Sequence, residues 1–283
     1  MTGSTPFSLP IRTHRTLHGL VHTCSRPGAR PTIVICHGFK GFMEWGFFPY
    51  LADLLTDRGF TTVRFNFPGS GMEPGDELVT DLAAFREATF GQDLEDLLSL
   101  LAALGDEVAP GIVDADRVGI FGHSRGGGTA LLAAADDQWS HRLGALVTWS
   151  AVSTFDRLGN AEKLVWRQQG WVPVVNARTG QELAIDRIVL DDLVENRQAL
   201  DLLEAASRRE APWLLVHGEA DETVPMSEAR ALAESAAGIG CLLEVPGASH
   251  TFGATHPLAG PTPELVTAIN ATQSWFRQEL MAS

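Results

Sequence analysis

Gly122-His123-Ser124-Arg125-Gly126 is the stretch whose reading decides the fold. It spells G-x-S-x-G, and its setting gives the pattern meaning. Ahead of it, Arg117-Val118-Gly119-Ile120-Phe121 is a short apolar run that reads as a buried strand. Behind it, Gly127-Gly128-Thr129-Ala130-Leu131-Leu132-Ala133-Ala134-Ala135 reads as a helix. A serine on a sharp strand-to-helix turn has a strained backbone and a hydroxyl lifted above the sheet edge, so this context predicts a nucleophile elbow. The flanking glycines are needed because a side chain there would strike the neighbouring strand and helix.

Outward from the elbow, strand-like runs alternate with helix-like runs, the signature of a mostly parallel sheet wrapped by helices. Upstream, residues 11–23 alternate as one or two antiparallel edge strands, and residues 31–36 and 61–65 read as buried strands. A helix over residues 48–58 stops at Gly59, and leucine spacing predicts one long amphipathic helix over residues 85–104. Downstream, residues 145–149, 212–216 and 241–245 read as further strands, with a final helix over 263–280. Residues 151–210 break this rhythm without a strong sheet strand, and an insertion of that size between two strands predicts a cap over the site.

Composition narrows the partners. The chain has 283 residues, 45% of them hydrophobic, enough for one large α/β domain with an insertion. Its formal charge of −14, from 21 basic and 35 acidic residues, argues against nucleic acid or an anionic membrane as partner. Three cysteines, Cys24, Cys36 and Cys241, cannot make a complete disulfide framework and read as buried free thiols. No basic-then-apolar leader is visible at the N-terminus, and no apolar run reaches the roughly 18 residues of a membrane span. The expectation is a soluble, cytoplasmic protein, monomer or homodimer, acting on a small molecule.

A serine hydroxyl needs a base, and the base needs an orienting carboxylate. Behind an elbow these follow in the order Ser, Asp or Glu, His, each on a loop after a later strand. The first such loop, His217-Gly218-Glu219-Ala220-Asp221-Glu222-Thr223-Val224-Pro225, offers three acids, of which Asp221 at the tip is chosen. The loop after the last strand, Pro246-Gly247-Ala248-Ser249-His250-Thr251-Phe252, offers His250, with His256 as its rival. His14, His18, His22 and His141 fall outside these loops, and His123 should point away from the serine face. No grouping has zinc-ligand spacing, so neither metal nor cofactor is expected. For an oxyanion, the backbone N–H groups of Arg125 and of Phe39, in His37-Gly38-Phe39-Lys40-Gly41-Phe42, are the candidate donors. Phe42, Trp45, Trp149, Trp166 and Trp171 are the candidate substrate-binding residues, an apolar lining suited to an acyl or aryl group. Asp191 and Asp192 read as a solvated helix face.

Together, His37-Gly38-Phe39, Gly122-His123-Ser124-Arg125-Gly126-Gly127, the segment from Gly218 to Pro225 and Gly247-Ala248-Ser249-His250 resemble the α/β-hydrolase superfamily. The likeness is greatest to dienelactone-hydrolase-like and cinnamoyl-esterase-like members. Asn66-Phe67-Pro68-Gly69-Ser70-Gly71 is similar to that group's loop, which more often has Asp at the Asn66 position. The resemblance implies the α/β-hydrolase fold: a mostly parallel eight-stranded sheet flanked by helices, one domain over residues 1–283, with 151–210 as a cap after the sixth strand. It also implies a serine carboxylesterase working by a Ser124–His250–Asp221 triad. A dienelactone hydrolase proper carries a cysteine where this chain has Ser124, so ester hydrolysis is implied more than lactone opening. A small serine peptidase or thioesterase uses the same triad, and a non-catalytic binding module on the same scaffold is the remote alternative.

Overall fold

The computed structural model describes residues 3–12, 15–24, 28–236, 238 and 240–281; His14 lies outside them. Two antiparallel strands come first, β1 (Gly3–Arg12) and β2 (Arg15–Thr23), the first beginning well upstream of the stretch its alternation suggested. β3 (Arg30–Cys36), α1 (Phe47–Asp57) and β4 (Thr61–Asn66) follow. The expected long helix is two, α2 (Leu82–Arg86) and α3 (Phe90–Ala103), because Thr89 caps α3 in a reciprocal box with Gln92 and so restarts the chain direction. Next come β5 (Val113–His123), α4 (Arg125–Ala134) and β6 (Leu143–Trp149).

Residues 151–210 then form α5 (Asn160–Gln169), a hairpin of β7 (Trp171–Val175) and β8 (Glu182–Asp186), α6 (Ile188–Glu195) and α7 (Leu202–Arg208). The hairpin is a sheet element where none was expected, and it is separate from the main sheet. β9 (Trp213–Gly218), α8 (Met226–Ser235), β10 (Gly240–Val245) and α9 (Pro263–Met281) complete the chain. The main sheet has eight strands in the order β1-β2-β4-β3-β5-β6-β9-β10, parallel from β4 through β10, with β1 and β2 antiparallel at one edge.

Helices cover both faces, so the central strands are apolar on both sides and read as unbroken hydrophobic runs. Alternate residues part to two cores: Val34, Cys36, Ile120 and Leu146 pack with α3 and α4, and Ile33, Ile35, Phe121 and Val147 pack with α1 and α9. Cys36 is a buried thiol as expected, whereas Cys241 is exposed because its strand is the sheet edge, and Cys24 is intermediate. Among the described residues no helix is long and apolar enough to cross a membrane.

Register sets where chemistry can occur. Cys36 pairs with Gly122, His123 with Trp149, Trp149 with Val216, and Gly218 with Val245. The carboxyl ends of β3, β5, β9 and β10 therefore open their loops on one edge of the sheet, where ligands of such sheets bind.

Candidate active site

Ser124 follows β5 directly, at φ 56° and ψ −124°, a conformation L residues rarely adopt. Its N–H donates to Trp149 O at 2.9 Å, and the N–H of Gly127 returns to Ser124 O at 2.9 Å, so the turn is closed from both sides. Gly126 lets the elbow touch the loop after β3, since a Cβ there would lie 2.2 Å from His37 O. Gly218 does the same at the other end, where a Cβ would lie 2.2 Å from Ala248 O. The acid loop and the histidine loop are stitched across that contact by Glu219 N–H to Val245 O and Ala220 N–H to Ala248 O, both 3.0 Å.

The structure brings Ser124, Asp221 and His250 into one line. His250 Nε2 is 3.0 Å from Ser124 Oγ, and His250 Nδ1 is 2.8 Å from Asp221 Oδ2. Asp221 is fully buried at its side chain, and its Oδ1 accepts the N–H groups of Thr223 and Val224, each at 2.9 Å. Burial alone would raise its carboxyl; the hydrogen bonds from His250, Val224 and Thr223 and the charge of His250 outweigh it and hold the pKa below the usual range. Glu219 and Glu222 face solvent. The rival His256 is occupied elsewhere, its Nδ1 accepting Gly46 N–H at 2.9 Å and its Nε2 bonded to Glu77.

Three buried histidines around this line carried no sequence signal for what they do. His123 lies against Phe47 and Phe48, away from the serine face, and its Nε2–H donates to the carbonyl oxygen of His250 at 3.0 Å. His37 accepts Phe67 N–H at Nε2 (3.1 Å) and so donates from Nδ1 to Gly38 O (2.9 Å), fixing the loop that carries Phe39. His217 donates from Nε2 to Val224 O at 2.8 Å, with Asp221 Oδ2 at 3.5 Å. Burial pushes the pKa of His37 down to about 4 and that of His123 down to about 3, against an ordinary value of 6.5.

These shifts set a pH dependence of stability. Between 6.5 and about 3 the unfolded chain takes up protons that the folded one refuses, so the stabilisation is whole above 6.5 and lost as pH falls through those folded values. Asp221 adds a loss at lower pH still, because its folded carboxyl stays ionised below the usual range. The urea midpoint is therefore expected to fall as pH is lowered from about 7 to about 4, and less steeply in His123→Phe. A midpoint flat over that interval would contradict the burial of neutral imidazoles.

Arg125 opens α4, so its N–H has no intrahelical acceptor. That of Phe39 meets no acceptor among the described residues. The guanidinium of Arg125 pairs with buried Asp93 at 2.7 Å and stacks over Phe90, 4.2 Å from the ring centroid.

A cavity of about 570 Å³ opens onto Ser124 and His250. Phe39, Arg125 and Trp166 line it; the other expected aromatics do not. Phe42 is instead buried in a cluster with Met72, Val79, Phe85 and Leu183. Trp45 packs against that cluster and stacks with His256, ring centroids 6.4 Å apart. Trp149 falls on the α1/α9 face, among Phe47, Phe121 and Phe252, and its Nε1–H donates to Thr272 Oγ1. Trp171 is 43% exposed, on the outer side of β7. Residues of 151–210 supply the lining in their place, among them Val152, Phe155, Val172, Val189 and Leu190. Asp192 is not a solvated acid: its Oδ2 accepts the N–H groups of Phe90 and Gly91 at 3.0 Å, capping α3, whereas Asp191 is half-exposed and pairs with Arg187. Asn66 holds two loops at once, accepting Met43 N–H at 2.7 Å and donating to Met72 O at 3.0 Å, which an ionised aspartate could not do.

Residues 45–280 match the prolyl oligopeptidase family. The chain is 26% identical over 195 residues to an uncharacterized 31.7 kDa protein of the traX-finO intergenic region of Escherichia coli, a match covering 65% of this chain and 63% of that one. It thus spans about 63% of the length of these first relatives. It is 26% identical over 208 residues to the putative esterase YitV of Bacillus subtilis, covering 73% of this chain and 74% of the relative. The structure of Est1E from Butyrivibrio proteoclasticus with ferulic acid bound superposes with a TM-score of 0.71 at 20% identity, covering 94% of this chain and 96% of that one. The fold is that of the α/β-hydrolases.

Proposed function

The chain belongs to the prolyl oligopeptidase family, and from that membership and the geometry around Ser124 we propose that it is a serine hydrolase cleaving carboxylic esters of small to medium acyl or aryl groups through an acyl-enzyme. One observation carries the reading: a single imidazole lies 3.0 Å from Ser124 Oγ and 2.8 Å from the buried carboxylate of Asp221. Asp221 Oδ2 accepts Nδ1–H, which leaves the Nε2 lone pair facing the serine hydroxyl. As Ser124 Oγ attacks the ester carbonyl, His250 Nε2 takes its proton. The carbonyl oxygen gains negative charge and accepts from the N–H groups of Phe39 and Arg125, at the positive end of α4. Collapse expels the alcohol, which leaves with the proton from His250. Water then attacks the acyl-enzyme, giving its proton to His250, and Ser124 departs with it.

Ester substrates are supported by the naming of YitV as a putative esterase, by the ferulic acid bound in Est1E, and by the largely apolar cavity. Residues 151–210 act here as the cap that shapes the acyl pocket. The family favours one second reading, cleavage of peptide amides. An aminopeptidase needs a free carboxylate to hold the substrate amine, yet the two acids lining the cavity, Asp93 and Asp156, are paired with Arg125 and Lys163.

A 4-nitrophenyl ester series from acetate to laurate tests the proposal, with aminoacyl 4-nitroanilides beside it. Turnover of esters with an optimum set by the cavity is expected, and amides turned over faster than every ester would overturn the assignment. Trp166 forms part of the lining and is almost wholly buried beside Val189 and Leu190. Trp166→Ala is expected to move the optimum toward longer acyl chains and to cost about 3–5 kcal/mol of stability through the cavity it leaves.

A further inference from the structure

Among the described residues four cationic side chains line the cavity, and three have a carboxylate of their own: Arg125 with Asp93, Arg157 with Glu228, Lys163 with Asp156. The fourth, Lys40, has none among the described residues. Its ammonium gives one hydrogen bond, to the backbone oxygen of Val175 on β7, at 3.1 Å. Two of its three N–H donors remain. Burial also lowers its pKa, so the cation gains from any anion that reaches it.

The backbone makes Lys40 more telling. Gly41 N–H donates to Gly38 O at 3.0 Å, closing a four-residue turn in which Lys40 is the third residue at φ 59°. That position suits glycine, and a side chain is held there against steric strain. Strain of this kind clusters at active sites and ligand clamps, and this turn also carries Phe39, one residue away.

We propose that Lys40 is an anion subsite: the substrate carries a carboxylate, remote from the ester bond being cut, that pairs with the ammonium through the donors Val175 does not use. The inference rests on the ester-hydrolase reading and names its substrate class, amphiphilic esters with one free carboxylate. The half-ester of a dicarboxylic acid is the simplest such molecule. A peptide's C-terminal carboxylate offers the same chemistry.

The test compares kcat/KM for mono-4-nitrophenyl glutarate and for 4-nitrophenyl 5-methylhexanoate, its neutral isostere. Wild type is expected to favour the glutarate, less so as salt rises. Lys40→Met and Lys40→Gly should reduce that ratio roughly 10- to 100-fold, as for loss of a charged hydrogen bond, while Lys40→Arg keeps most of it. Lys40→Gly also suits the turn, so a lost ratio in a protein at least as heat-stable as wild type cannot be laid to misfolding. If Lys40 serves only to tie the turn to β7, both esters decline together in Lys40→Gly, which overturns the proposal, as does a wild type with no preference.

Calorimetry of monobenzyl glutarate with Ser124→Ala, with and without Lys40→Met, reads the subsite without turnover, and equal affinities overturn it. Failure of the ester reading is separate: neither ester would be turned over, whatever the calorimetry gave. An acetylated dipeptide with a free or amidated C-terminus completes the comparison. A Lys40-dependent preference confined to that pair supports the subsite and overturns the ester reading.

Discussion

Ser124→Ala is expected to lose about 10⁶ in kcat while unfolding as the wild type does. The substitution deletes one oxygen, the atom 3.0 Å from His250 Nε2, and leaves a Cβ where one already stands. The backbone bonds that hold the turn, from Ser124 N–H to Trp149 O and from Gly127 N–H to Ser124 O, need no side chain. What remains are the N–H groups of Phe39 and Arg125 and the cavity, which in comparable enzymes sustain about 10³–10⁴ over the reaction in water. Ser124→Gly should be as inactive, yet no less stable than Ser124→Ala, because at φ 56° any Cβ is strained. A stopped assay with both variants beside wild type, and a thermal melt of each, decides this. Substantial ester turnover by folded Ser124→Ala would remove Ser124 from the mechanism.

The elbow was legible because it is local: strand, turn and helix are contiguous, and each half has its own period. Asp221 and His250 were legible at one remove, since strand order puts their loops on the same sheet edge whatever the side chains between. The aromatic lining had no such rule behind it. Trp149 continues the parity of Ala145 and Val147, which face α1 and α9, so alternation along β6 already pointed it away from the cavity. In β7 every residue is apolar, and nothing in Trp171-Val172-Pro173-Val174-Val175 says which parity faces inward. Phe42 and Trp45 sit in a loop, where no period applies. The break between α2 and α3 did have a signal, Thr89 followed three residues later by Gln92, which the leucine spacing obscured. Asp192 had none, for its partners Phe90 and Gly91 lie about a hundred residues away.

Asp221→Asn is expected to cost about 10⁴ in kcat, and the surroundings of the carboxylate say why. Its Oδ1 faces two N–H donors, those of Thr223 and Val224, both at 2.9 Å. An asparagine must turn its carbonyl oxygen to them, since its amide would set donor against donor in a site with no access to water. The NH₂ then falls at the Oδ2 position, 2.8 Å from His250 Nδ1, which can only accept from it. The imidazole proton moves to Nε2 and points at Ser124 Oγ, so the base meets the nucleophile with its lone pair turned away. Geometry is kept and the tautomer is wrong, so kcat should fall far more than KM changes. Glu219→Gln and Glu222→Gln, exposed on the same loop, should leave kcat as it is. Should Asp221→Asn keep its activity while either of those loses it, the orienting acid is not Asp221.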